Sequence, residues 1–205
     1  MDSAFLITAF VTLFVIMDPP GMTPMFLALT RGMDQARRRQ IALRACMTGA
    51  LMLIAFATFG EQLLGFIGIS MHAFRIAGGI LLFLTALDML FERRGQRRKS
   101  RAEEDDHEDP SIFPLAIPLI SGPGAITSVI LLAGQQPGWA GLGVVIGVML
   151  SVIILVYLCF LAASFFERLL GKTGIIVLTR VLGMLLAALA VQFVLDGIKG
   201  FGFGG

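Results

Sequence analysis

Asp18, Pro19, Pro20, Gly21, Met22, Thr23 and Pro24 stand together in the middle of an apolar run from Ala4 to Leu29. The run is long enough to cross a bilayer at about 20 residues per span. A plain spanning helix has no use for three prolines, a glycine and a carboxylate. Proline removes a backbone donor and clashes with the preceding turn. A backbone group left unpaired in hydrocarbon costs several kcal/mol, so such a break belongs where protein or a watery cavity surrounds it. The chemistry it offers is binding. The helix that restarts after Pro20-Gly21 exposes N–H groups without partners. Those donors and the helix dipole favour an anion such as a carboxylate. Gly21, lacking a Cβ, lets a ligand approach the backbone.

The same arrangement recurs once, at Ser121-Gly122-Pro123-Gly124-Ala125-Ile126-Thr127, again inside an apolar run. Hydroxyls are available from Thr23, Ser121, Thr127 and Ser128. The candidate substrate-binding residues are therefore Asp18, Pro20, Gly21, Thr23, Ser121, Gly122, Gly124 and Thr127. Two broken helices at corresponding places in two halves of a chain mark a transporter's binding site. The alternative is a pair of kinked helices that pack tightly and bind nothing. Asp18 has two readings. An isolated carboxylate in hydrocarbon favours its neutral form and suits proton coupling. An N-cap for the following half-helix keeps the anion and needs no turnover role. Arg75 and Arg180 lie inside apolar runs. A membrane arginine faces the bundle interior or finds a partner. They are read as structural or gating charges, forks that reach the carbonyls freed at the breaks, with contact to a substrate carboxylate as the other reading.

The elements that must hold these residues are spans. The 205 residues are 57% hydrophobic and 15% charged, where a soluble domain carries about 25% charge. The chain is an integral membrane protein. Six spans are expected, over about 4–29, 41–60, 67–90, 111–133, 140–163 and 174–197. Residues 1–91 form a first three-helix unit, 92–110 a charged cytoplasmic loop and 111–205 a second three-helix unit, ending in a glycine-rich tail. Asp2 stands where a secretion signal would carry a basic residue, so the first span is expected to remain. Cys46 and Cys159 lie in apolar runs and read as small buried hydrophobes.

The two units match. Phe59-Gly60-Glu61-Gln62-Leu63-Leu64-Gly65 resembles Phe165-Phe166-Glu167-Arg168-Leu169-Leu170-Gly171, Arg75-Ile76-Ala77-Gly78 resembles Arg180-Val181-Leu182-Gly183, and Pro20-Gly21 matches Pro123-Gly124. Each unit has an odd number of spans, so the second enters from the side opposite the first and the repeat is inverted. Of the 16 lysines and arginines, Arg31, Arg37, Arg38, Arg39, Arg44, Arg93, Arg94, Arg97, Arg98, Lys99, Arg101, Arg168 and Lys172 fall in or beside loops on one side; only Lys199 falls on the other. By the positive-inside rule the basic side is cytoplasmic and both termini face outward. Gly143-Val144-Val145-Ile146-Gly147 is a GxxxG through which a neighbouring helix, or a second copy, could seat. There is no nucleotide loop, metal-ligand spacing or catalytic triad.

Asp18 through Pro24, with Leu29-Thr30, resembles the first signature of the MarC family of integral membrane proteins. Pro114-Leu115-Ala116-Ile117-Pro118-Leu119-Ile120-Ser121-Gly122-Pro123-Gly124-Ala125-Ile126 resembles the second, and Arg75, Gly78 and Gly79 fit its third span. The resemblance covers nearly the whole chain. It implies six spans and, since some relatives are classed as carriers of glycine and alanine, transport of small neutral amino acids. The family usually has Asn where this chain has Asp18. The expectation is thus an all-α polytopic membrane bundle of six helices, with broken helices 1 and 4, in the cytoplasmic membrane. It would act as a secondary transporter for a small-molecule substrate, with lipid around it, proton or sodium coupling, no other cofactor and no nucleic-acid partner. A channel-like facilitator and a non-transport scaffold are the rival classes; an enzyme is not expected.

Overall fold

The computed structural model describes residues 3–91, 109–136 and 138–202, with Lys172 by its backbone alone. Most of the charged loop expected over 92–110 and the last three residues of the tail lie outside the described residues.

The chain is all helix. The first span divides into α1 (Ser3–Met17) and α2 (Pro19–Leu29). The division falls at Asp18, whose backbone is left-handed at φ 51° and ψ 61°. Next come α3 (Gln35–Ile67) and α4 (Met71–Leu90). The fourth span is a bent pair, α5 (Ser111–Ile120) and α6 (Pro123–Gly134), turning by 53° across Ser121-Gly122. Two long helices finish the fold, α7 (Gly138–Leu161) and α8 (Ala163–Gly200). Among the described residues five segments are long and apolar enough to cross a membrane, α1 and α2 together being one of them, and the bent pair brings the number up to six. Five of the expected spans are matched by continuous apolar segments, and the expected fourth by the bent pair.

Some boundaries differ, for physical reasons. The 33 residues of α3 span about 50 Å at 1.5 Å per residue, well beyond a hydrocarbon core of about 30 Å. Its charged first turns, with Arg37, Arg38 and Arg39, therefore project past the core, and apolarity alone marks only the middle. In α8 the backbone reverses to φ 62° at Gly171, a conformation that suits glycine. A short leading helix precedes it, and the span proper is Thr173–Gly200.

α5 is not a regular helix. Phe113 and Ile117 are extended, at φ/ψ −114°/127° and −124°/122°, as residues before proline prefer. Pro114 and Pro118 both follow cis peptide bonds. The turns between them widen, so that Leu115 N–H donates to Pro110 O and Ser121 N–H to Ala116 O, five residues back in each case.

Packing in lipid relies on close approach, because hydrocarbon offers helices no hydrophobic drive to associate. Glycines supply it here. A Cβ at Gly79 would lie 2.8 Å from Ala190 O and 3.0 Å from the Val194 nitrogen, so α4 and α8 run nearly backbone to backbone. Gly183 meets Met89 and Ala86, and Gly197 meets Ile76 and the His72 carbonyl, along the same seam. Gly49 and Gly60 of α3 receive Ile120 and Ile130. Phe26 of α2 stacks on Phe160 of α7 at 4.5 Å. The broken segments lie innermost: Leu13, Met17, Met22, Leu115, Ile120 and Leu131 are fully buried, while Phe66 and Trp139 turn outward.

Candidate functional site

The breaks meet inside the bundle. Gly124, two residues past the second break, packs under Ile16, two residues before the first; its Cβ position lies 3.4 Å from Ile16 Cγ2 and 3.0 Å from Leu82 Cδ2 of α4. Each break stands near the middle of its span.

At the first break Asp18 is completely buried. Its Oδ1 accepts from the Gly21 N–H at 3.1 Å, which caps α2. Its Oδ2 accepts from the Thr179 hydroxyl of α8 at 3.4 Å. A Cβ on residue 21 would occupy the space of the Asp18 carboxylate. Gly21 is thus explained by its own cap. Pro20 supplies an acceptor: Thr23 Oγ1 donates to its carbonyl at 2.7 Å. Both Pro20 and Thr23 are buried.

At the second break the cap residue is Gly122, and no side chain caps α6. Ser121 turns back instead, its hydroxyl donating to Ala116 O at 2.8 Å alongside its N–H. Thr127 is buried with its methyl against Gly78 of α4. Ser128, one turn past Gly124, is fully buried and its hydroxyl has no partner among the described residues.

The structure therefore brings Asp18, Pro20, Gly21 and Thr23 together as one cap, and Ser121, Gly122, Gly124 and Thr127 as a second restart. Arg75 sits half-buried on α4, and its Nε has no hydrogen-bond partner among the described residues. Arg180 is exposed on α8 next to Thr179. Gly143 and Gly147 are exposed, and nothing lies within 4 Å of a Cβ at either. Sequence reasoning missed Thr179 and Thr12. A single threonine in an apolar helix is unremarkable in a linear pattern; Thr179 gains meaning only because the fold brings it to Asp18.

A separate cleft of about 490 Å³ opens at the charged end of α3, lined by Asp34, Arg37, Gln40, Arg44 and Asp109. Its lining carries two carboxylates and two guanidinium groups. Asp34 caps α3 by accepting from the Arg37 N–H, and Arg44 pairs with Asp109 at 2.9 Å. Ser111, whose N–H donates to Asp109 Oδ1 at 3.0 Å, and after it Arg44 hold the Asp109 carboxyl below the usual carboxylate range.

Buried helix breaks, an intramembrane carboxylate and small-residue seams define a class: polytopic α-helical membrane proteins with discontinuous spans. Within that class the chain belongs to the MarC family of integral membrane proteins, whose model matches residues 3–201. It is 38% identical to a UPF0056 membrane protein of Methanocaldococcus jannaschii over 98% of both chains. It is 36% identical to the UPF0056 membrane protein YvbG of Bacillus subtilis, over 98% of this chain and 97% of that one. A UPF0056 membrane protein of Archaeoglobus fulgidus is 39% identical over 95% of this chain and 92% of its own. No solved structure matches the chain.

Proposed function

We propose that the protein is a secondary transporter of small neutral amino acids in the cytoplasmic membrane, working by alternating access between two inverted three-helix units. The observation that carries this reading is the meeting of the two breaks, Gly124 under Ile16, deep in the bundle. Irregular backbone at that depth belongs around a binding site. The substrate class is the one the family resemblance implies.

The packing supports the inverted repeat. α3 lies on α5 and α6 as α7 lies on α1 and α2. α2 touches α8 as α6 touches α4, and the corresponding helices α4 and α8, and α3 and α7, pack on each other. Exchanging the two units leaves these pairings unchanged, while the contacts of α1 with α6 and α8 and of α6 with α7 have no counterpart of like extent. The charge split between loops supports outward-facing termini.

The test is binding and counterflow with purified protein. Glycine or L-alanine at about 100 times its dissociation constant should stabilise the fold by roughly 2.7 kcal/mol. In proteoliposomes uptake should saturate and show counterflow. Flux that never saturates would assign a channel, and a protein whose melting ignores every amino acid would be a scaffold.

A further inference from the structure

The two half-helix N-termini are not equivalent. The α2 end is filled by Asp18, which accepts the Gly21 N–H. The α6 end begins at Gly122 and has no side chain to fill it. With 12 residues, α6 presents the unpaired N–H groups and positive dipole end of a full helix. Pro123 gives no donor, so Gly124 and Ala125 supply them, and both are buried.

An independent observation falls in the same place. Serine and threonine hydroxyls inside helices usually satisfy themselves on the carbonyl one turn back. Thr30, Thr58 and Thr85 do so at 2.7, 2.8 and 2.9 Å. Ser128 and Thr12 do not: they are 0% and 1% exposed, and neither hydroxyl has a partner among the described residues. Ser128 lies one turn beyond Gly124 on the same face of α6. Its Cα–Cβ bond tilts toward the helix N-terminus, on the side of the Gly124 turn. α1 and α6 belong to the first and fourth spans and run antiparallel. Ile16 rests on Gly124, so in antiparallel register Thr12, one turn back along α1, and Ser128, one turn on along α6, fall in the neighbouring layer, outside hydrogen-bond reach of each other. A buried hydroxyl left without a partner keeps its full desolvation penalty. Two such groups in one layer, beside an uncapped helix start, are buried hydrogen-bonding capacity left unused.

We propose that the N-terminus of α6, with the hydroxyls of Ser128 and Thr12, is the subsite for the substrate's carboxylate, and that Asp18 closes the α2 end to it. The proposal rests on the transport reading and adds the polarity of the site. Leu82 and Ile16 close over Gly124, so a ligand enters by displacing flexible side chains and leaves the backbone in place.

The test uses the purified full chain with three probes: L-alanine, propionate, which keeps only the carboxylate, and ethylamine, which keeps only the amine. Propionate should compete with alanine and ethylamine should not. Ser128→Ala and Thr12→Val should each weaken alanine binding at least tenfold. Their ligand-free melting temperatures should stay level or rise, because each removes an unpaired buried hydroxyl. Thr12→Ser, which keeps the hydroxyl, should bind as the wild type does. Wild-type affinity in Ser128→Ala and Thr12→Val, or equal competition by ethylamine, overturns the subsite while leaving transport standing. A parallel loss of ligand-free stability would make the hydroxyls structural and also overturn it. A wild-type protein that binds neither alanine nor glycine overturns the transport reading, and the subsite with it.

Discussion

Asp18 holds a strained backbone and a helix cap at once. A non-glycine residue at positive φ is uncommon, and Asp and Asn tolerate it best because a short polar side chain can bond locally. Here the bond goes to Gly21 N–H. The backbone thus accepts Asn as readily as Asp: either residue fits the turn and caps α2. Asp18→Asn is therefore expected to fold with its stability nearly unchanged, so any change in transport reads the charge alone. Proton-independent uptake with binding intact would assign coupling to Asp18, and weakened binding would assign it to the substrate. Full activity with the same proton dependence would leave it a cap only. Asp18→Ala should lower stability by about 2–3 kcal/mol, combining the lost cap with left-handed strain. Gly21→Ala is a sharper test of the same geometry. A helical Ala gains close to 1 kcal/mol over Gly, but this Cβ takes the place of the Asp18 carboxylate. The cap is lost and the site is overpacked, a cost of about 1–3 kcal/mol. A lower melting temperature is expected; a higher one would mean that the cap contributes nothing.

At the scale of helices, the α4–α8 seam shows which effect governs packing. A Cβ at Gly79 would meet backbone atoms of α8 at 2.8 and 3.0 Å. Backbone cannot rotate aside as a side chain can, so Gly79→Ala must separate the helices despite its better propensity, and should lower the melting temperature markedly. Gly143→Ala meets nothing within 4 Å and should leave it level or slightly raised by propensity. If a second copy seats on Gly143 and Gly147, Gly143→Leu will shift the oligomer distribution on gel filtration without changing the fold. The legibility of the sequence follows the same division. The spans and both breaks are readable because apolar length, Pro and Gly act locally. The distortion of α5 is readable in part, since Pro114 and Pro118 stand in plain view, yet their spacing does not reveal that Phe113 and Ile117 become extended. Least readable is the difference between the two restarts. Thr23 and Ser121 appear to be free hydroxyls in the sequence, but each is spent on a nearby carbonyl. Ser128, which looks no different, is left with none. Only side-chain direction in the packed bundle separates them.

Across the whole molecule, orientation follows from charge and from the count of spans. α3 carries Arg37, Arg38 and Arg39 in its first turns, where the helix dipole disfavours cations; Asp34 offsets part of this by capping. An anionic cytoplasmic leaflet offsets more, at about 1 kcal/mol per basic residue near the surface. The opposite face of the bundle has only Lys199 and gains little from such a surface. The energies therefore favour placing the α3 start in the cytoplasm and both chain ends outside. Six spans make this self-consistent, because an even number returns the chain to its starting side. The measurement is cysteine labelling with a membrane-impermeant maleimide on a background lacking Cys46 and Cys159. Ser3→Cys, at the start of α1, and Gln135→Cys, in the exposed turn after α6, should react from the periplasmic side of intact cells. Gln35→Cys, at the exposed start of α3, should react only after the membrane is opened. Labelling of Gln35→Cys in intact cells, with Ser3→Cys protected, would invert the orientation. Labelling of all three in intact cells would break the six-span count itself, and with it the antiparallel register that sets Thr12 and Ser128 in one layer.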